Sequence, residues 1–197
     1  MSRYAPRRPG DVARFVRSEM LGLVVTHDAQ GYISTPLPLL AETGEDGAVH
    51  TIIGHFAKAN PHVARVEANP QALISFLGPH GYIGPAAVSK PGWAPSWNYQ
   101  LAQFEVEIAL EPDQGDAAIR LLVDALEQDF PQPWTPEQMG ERYSRLTPHV
   151  VAFRAQVIRQ SARFKLGQDE DRETFREIVD ALGDTPLAHA MLDQAQY

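Results

Sequence analysis

Two short stretches concentrate the side chains able to do chemistry. Gly54-His-Phe-Ala-Lys-Ala-Asn-Pro-His62 sets one cation, Lys58, beside a helix start. Gly78-Pro-His-Gly-Tyr-Ile-Gly-Pro85, followed by Pro95-Ser-Trp-Asn-Tyr99, gathers His80, Tyr82, Trp97, Asn98 and Tyr99 among glycines and prolines. A phosphomonoester needs donors fixed in direction, and a helix N-terminus supplies N–H groups together with the positive end of the dipole. Asn60-Pro61 is such a start, with Asn as cap and Pro at the first helical position. Lys58 adds a full charge, and His55 offers a further donor just past a strand end. The same lysine also reads as a solvated side chain before an ordinary capped helix. Gly54 lacks the partner glycines of a Walker loop or a dinucleotide fingerprint.

The second stretch has the makings of a ring site. A planar heteroaromatic ring stacks on aromatic and apolar surface while polar groups meet its edge. Trp97, Tyr99 and Tyr82 supply surface, His80, Asn98 and Ser96 supply hydrogen bonds, and the flanking prolines restrict the loop. The alternative is a loop whose aromatics plug a core or a subunit interface. A phosphate grip and a ring grip on one small chain suit a phosphorylated cofactor with a planar head. FMN matches that description, and one cation at one helix end suits a single terminal phosphate better than FAD does. Other chemistry is poorly represented. The seven histidines form no ligand pair of the H-E-x-x-H kind, and no G-x-S-x-G elbow occurs. Glu105 and Glu107 share a strand face, where solvent is the simpler reading. Arg163 and Lys165 also share a face, open to an anion or to water. No residue stands out as catalytic.

Composition narrows the setting. The chain has 197 residues, 44% of them hydrophobic, enough for one domain with a proper core. It has no cysteine, which excludes disulfides, thiolate metal sites and a cysteine nucleophile. The first thirty residues lack an apolar signal region, and no run approaches the ~18 apolar residues of a membrane span. The expectation is a soluble cytoplasmic protein. A net charge of -8, from 17 Lys+Arg against 25 Asp+Glu, opposes non-specific DNA binding. Arg3, Arg7, Arg8, Arg14 and Arg17 form only a modest basic cluster, and no helix-turn-helix with a basic recognition helix is visible.

The elements that must position these residues follow from periodicity. Asp11 is placed to cap a helix whose Val12, Phe15, Val16 and Met20 share one face, ended by Gly22. Strands are expected at Leu23–Thr26, at Tyr32–Leu40 with a turn over 28–31, and at Val49–Ile53. Pro36 and Pro38 lie two apart, so their missing N–H groups face one side, as an edge or a split barrel allows. A helix runs from Asn60-Pro61 to Asn69-Pro70. Strands follow at Ala72–Leu77, near His80–Ile83, and at Asn98–Leu110, where Phe104, Val106 and Ile108 alternate with Glu105, Glu107 and Ala109. A helix carries Ile119, Leu122, Val123 and Leu126, and Thr135-Pro-Glu-Gln138 reads as a capping box for another, broken at Thr147-Pro148. His149–Gln160 and Arg163–Leu166 are extended, and helices occupy about 170–182 and 186–195 around Gly183. The order favours an α+β fold with an antiparallel barrel. It makes one domain over 1–197, with helices at about 170–195 as an appendage.

Taken together the motifs resemble the PaiB family of FMN-binding proteins, also named negative transcriptional regulators. That family shows G-H-x-A-R-A-N-P, F-x-G-P-H-x-Y-[IV]-S-P, P-T-W-N-Y and G-K-x-K-L-S-Q-N. They stand here as Gly54–Pro61, Phe76–Pro85, Pro95–Tyr99 and Ala162–Asp169, and Ser34-Thr-Pro-Leu-Pro38 matches a further strand motif. Order and spacing agree from about residue 3 to 182. Lys58 replaces the usual arginine, keeping charge but losing the bidentate fork. Gly84 replaces a serine, Ala86-Ala-Val88 replaces Ser-Trp-Tyr, and Gly167 and Asp169 replace the late Ser and Asn. The resemblance implies a split β-barrel of the flavin reductase and pyridoxamine-phosphate oxidase type, with peripheral helices. It also implies a homodimer holding two flavins at its interface. Thr35, His55, Lys58, Ala59 and Asn60 become candidates for the phosphate and flavin edge, and His80, Trp97, Asn98 and Tyr99 for the ring end, from either subunit. Lys165 and Gln168 are weaker candidates. The implied role is an FMN-dependent oxidoreductase or a flavin-sensing regulator of small-molecule metabolism. A transcriptional regulator without turnover, or a haem-binding barrel using His55 or His80, stands as the alternative.

Overall fold

The computed structural model describes residues 2–195. Helix α1 (Asp11–Glu19) leads into a run of strands: β1 (Leu21–Asp28), β2 (Gly31–Pro38), β3 (Leu40–Thr43) and β4 (Val49–Ala57). Helix α2 (Pro61–Ala68) precedes β5 (Gln71–Ile83) and β6 (Ser96–Glu111). Helices α3 (Gly115–Glu127) and α4 (Glu141–Leu146) separate β6 from β7 (Val150–Lys165), and α5 (Arg172–Leu182) and α6 (Pro186–Asp193) follow. The strands make one antiparallel sheet in the order β2-β1-β5-β6-β7-β4-β3. Its two edge strands are joined through the single residue Leu39, whose N–H donates to the Met20 carbonyl at 2.8 Å. The sheet therefore curls around one interior. This is the α+β barrel expected from the strand-rich sequence.

Period-two alternation fills that interior. Phe56, Phe76, Phe104, Phe153 and Phe164 are all fully buried. Phe56 and Phe153 meet at 4.9 Å between centroids, and Phe76 and Phe104 meet edge-on at 6.0 Å. Each such ring contributes about 1.5–3 kcal/mol by leaving water. Helix α1 adds Val12, Phe15 and Val16 to the same core, and α5 and α6 add Phe175, Ile178, Leu187 and Met191. Pro36 and Pro38 lie on edge strand β2, opposite Leu23 and Leu21, where a missing donor is tolerated.

Several boundaries differ from the sequence reading for local reasons. Gly10 is the cap position of α1, and Asp11 is its first residue, accepting from the Arg7 and Arg8 N–H groups at 3.0 and 2.8 Å. The helix ends at Glu19, and Gly22 lies inside β1. The strand expected to run to Leu40 stops at Pro38, and Leu40 opens β3. Thr135 makes no side-chain cap, and Pro136–Met139 is only a 3-10 turn. Two pairs of expected strands are each one long strand. Gln71–Ile83 absorbs a bulge between Leu77 and His80, and Val150–Lys165 pairs with β6 through a register shift at Glu105/Val106. A bulge breaks the apolar alternation without breaking the strand.

Candidate functional site

The turn between β4 and α2 faces edge strand β2, and this junction holds most of the phosphate candidates. Asn60 caps α2: its Oδ1 accepts from the His62 N–H at 2.9 Å, and its carbonyl accepts from the Val63 N–H at 3.0 Å. Pro61 has no N–H to offer. The first donors of the helix are thus spent internally, contrary to the expectation that they would face an anion. The free donors lie just before it. The Lys58 backbone N–H donates to the His149 carbonyl at 2.8 Å, while its ammonium and the Ala59 N–H find no acceptor among the described residues. Both residues are exposed.

Thr35 joins this turn from β2. Its hydroxyl oxygen accepts from Asn60 Nδ2 at 3.3 Å and lies 2.9 Å from His62 Nδ1. His62 Nε2 lies 3.0 Å from Thr26 Oγ1 on β1. His62 has no exposed surface and packs its ring 5.3 Å from Phe56. Burial, with some help from Arg65, pushes its pKa down, so the ring is neutral near pH 7. Sequence reasoning missed this residue, because a histidine in the first turn of a capped helix reads as solvated. The available signal was the pair of threonines, which meets only once the β1–β2 register is known.

His55 and Gly54 lie on opposite faces of β4. In the β4–β7 register His55 lies opposite Ala152, on the reverse face from Gly54 and Phe56. Burial also depresses its pKa and keeps it uncharged. A Cβ on Gly54 would stand 2.5 Å from Leu39 Cδ2 and 2.7 Å from Phe153 Cζ. The glycine that opens the motif therefore serves the core.

The ring-end candidates sit on the outer face of the β5–β6 hairpin. His80 pairs with Tyr99 and Tyr82 with Trp97, and Tyr99 pairs in turn with Lys165. Trp97 stacks on His80 at 6.0 Å, donates from Nε1 to His80 Nδ1 at 3.4 Å, and leans on Tyr82 at 6.1 Å. Lys165 Nζ donates to Ser96 Oγ at 2.5 Å and to the Trp97 carbonyl at 3.1 Å, fixing the strand beneath the indole. Asn98 is turned away: it is buried, and its Nδ2 donates to Met191 Sδ at 3.5 Å. Gln168 spends its amide on the turn after β7, accepting from the Leu166 N–H and donating to the Phe164 carbonyl.

One chain does not bring the two halves together. Thr35 lies in the row Thr35–Val24–Ile74–Phe104, which faces the core, whereas Trp97 faces outward seven residues further along β6. At about 3.3 Å per residue that is about 23 Å along the strand. A cleft of about 660 Å³ is lined by Val25, Thr26, Tyr32, Leu73 and Ile158 among others, and one of about 530 Å³ by Glu19, His80 and Pro186 among others. Neither contains Lys58, Thr35 or Trp97.

Comparisons with known proteins bear on the family and the fold. Residues 1–159 match the family model described as "Putative FMN-binding domain". A relative from Bacillus subtilis (strain 168), named protease synthase and sporulation protein PAI 2, is 29% identical over 175 residues, covering 87% of this chain and 83% of that protein. Among solved structures, the FAD and heme binding protein from Mycobacterium smegmatis superposes with a TM-score of 0.60 at 14% identity, covering 92% of this chain and 81% of the other. A conserved hypothetical protein from Mycobacterium tuberculosis gives 0.55 at 12% identity, covering 82% and 87%. At such identities the structural matches speak for the fold alone. The family match spans most of the sequence and takes in both the Lys58 turn and the Trp97 hairpin, so the chain belongs to the FMN-binding domain family, with FMN as its cofactor.

Proposed function

We propose that the protein is a homodimeric FMN-dependent oxidoreductase in which the phosphate is held by one subunit and the ring is met by the other. The observation that carries this reading is the separation of the two halves on a single chain, core-facing Thr35 against outward-facing Trp97. The donor set fits a phosphate dianion: Lys58 ammonium, the Ala59 N–H and the Thr35 hydroxyl surround one turn, and Asn60 holds that turn in shape. His55 adds a neutral imidazole near the flavin edge. At the other end Trp97, Tyr99 and His80 give the ring a surface, and Lys165 supplies a positive charge beside it. The outer face around them carries an exposed apolar stripe, with Leu77 59% and Tyr82 57% exposed, which a second copy would cover.

Bound FMN supplies the redox chemistry itself. The chain's part is to grip the phosphate, orient the ring and exclude water through the subunit contact. The relative's printed name, which refers to sporulation, favours a second reading, a flavin-sensing regulator without turnover. One experiment separates the two. The FMN-loaded protein is mixed anaerobically with NADH or NADPH, and the visible flavin band is followed. Bleaching faster than for free FMN supports the oxidoreductase. A stable flavin band with tight FMN binding leaves the regulator, and a Soret band in place of flavin peaks would support the haem alternative.

A further inference from the structure

We infer that His62 is a positioning residue for the cofactor: its ring holds the Nδ1–H tautomer, which turns the Thr35 hydroxyl into a donor aimed at the bound anion. The inference rests on the FMN reading for the identity of that anion. Protons and lone pairs can be counted around the Thr35 hydroxyl. The His62 backbone N–H can only donate, so Asn60 Oδ1 is the acceptor of that bond and Asn60 Nδ2 must be the group that donates to Thr35 Oγ1. Thr35 thus already accepts once. Its second partner is His62 Nδ1 at 2.9 Å, and the other ring nitrogen, Nε2, lies 3.0 Å from Thr26 Oγ1.

Two arrangements satisfy a neutral ring. In the first, Nδ1–H donates to Thr35, and the Thr26 hydroxyl donates to Nε2. Thr35 then accepts twice, and its own proton is left for a ligand. In the second, Thr35 donates to Nδ1 and Nε2–H donates to Thr26. The Thr26 proton is then stranded at a residue only 5% exposed, with no other acceptor among the described residues. A buried donor without a partner is the costlier choice, whereas Thr35 is only half-buried, so its proton can be met by water or a ligand. The first arrangement therefore prevails. Burial of the ring keeps it neutral, as both arrangements require. A histidine with no contact to the ligand thereby decides whether the nearest hydroxyl attracts or repels a phosphate oxygen.

Two readouts test this on the full-length protein. The first is the 15N spectrum of the histidine side chains, with His62 assigned by comparison with His62→Gln. It should show a protonated Nδ1 and an unprotonated Nε2; the reverse pattern overturns the inference whatever the ligand is. The second is FMN affinity in four backgrounds. His62→Gln should weaken FMN by about tenfold or more, the size of one hydrogen bond to a charged group. The same change made on Thr35→Val should have no further effect. His62→Asn, whose amide reaches the Nδ1 position, should recover most of the loss. Equal losses with and without the Thr35 hydroxyl, or no rescue by asparagine, would show a merely structural histidine. If the wild type does not bind FMN, the functional reading fails, while the tautomer measurement still decides the role of His62.

Discussion

The most informative single substitution is Gly54→Ala, because it tests what the first residue of the motif is for. The glycine sits on the inner face of β4 in van der Waals contact with two fully enclosed side chains, Leu39 at 1% and Phe153 at 0% exposure. The added methyl carbon would approach Leu39 Cδ2 to 2.5 Å and Phe153 Cζ to 2.7 Å. A comfortable carbon contact is about 3.5–4.0 Å, so both neighbours must move by about 1 Å. Phe153 packs against Phe56 at 4.9 Å between centroids, and both rings are fully buried. Overpacking of this kind costs about 1–3 kcal/mol. In a chain of this size each kcal/mol shifts Tm by about 2–4 °C. Calorimetric melting should therefore show a loss of several degrees, while the folded fraction keeps FMN affinity within about twofold. An unchanged Tm with strongly weakened FMN binding would refute the packing role and place Gly54 at the ligand.

Other changes separate charge, ring surface and burial. Lys58→Ala should weaken FMN by about tenfold or more and leave stability within about 0.5 kcal/mol, since the side chain is exposed and makes no internal bond; titration calorimetry and melting check both halves. Trp97→Ala should weaken FMN to a similar degree, and a re-equilibrated equal mixture with Lys58→Ala should recover about a quarter of the tight sites, as a two-fold dimer with shared sites requires. No recovery would place both halves on one chain. Stability should fall as pH drops from about 7.5 to 5.5. Burial depresses the pKa of His55 and His62, so below the usual histidine value the unfolded chain takes up protons that the folded chain refuses. The slope is at most about 1.4 kcal/mol per pH unit for each ring, and His62→Gln should reduce it. Glu19, whose pKa burial raises, acts in the opposite sense above the usual carboxylate value.

Much of the barrel was legible because its strands alternate cleanly. Phe104, Val106 and Ile108 announce a face that the structure buries, and Asn60-Pro61 opens a helix as its capping chemistry requires. The bulges at Leu77/His80 and Glu105/Val106 were not, since an extra residue interrupts the alternation without changing residue type. In the site, the turn around Lys58 could be read from local chemistry, and the Asn60–Thr35 bond joins two of its proposed members. What could not be read was anything dependent on register. Asn98 stands between Trp97 and Tyr99 in sequence, but strand alternation turns it inward onto Met191. His62 acquires its partners only when β1 and β2 bring Thr26 and Thr35 to the same helix end.

The central claim is that a single terminal phosphate is gripped at the β4–α2 turn. Calorimetric titration of the purified, flavin-free protein with FMN, riboflavin and FAD tests it most directly. FMN should bind at least tenfold more tightly than riboflavin, which lacks the phosphate, and more tightly than FAD, whose phosphates are not terminal. Riboflavin binding as tightly as FMN would contradict the account, because Lys58, Ala59 and Thr35 would then have nothing to hold.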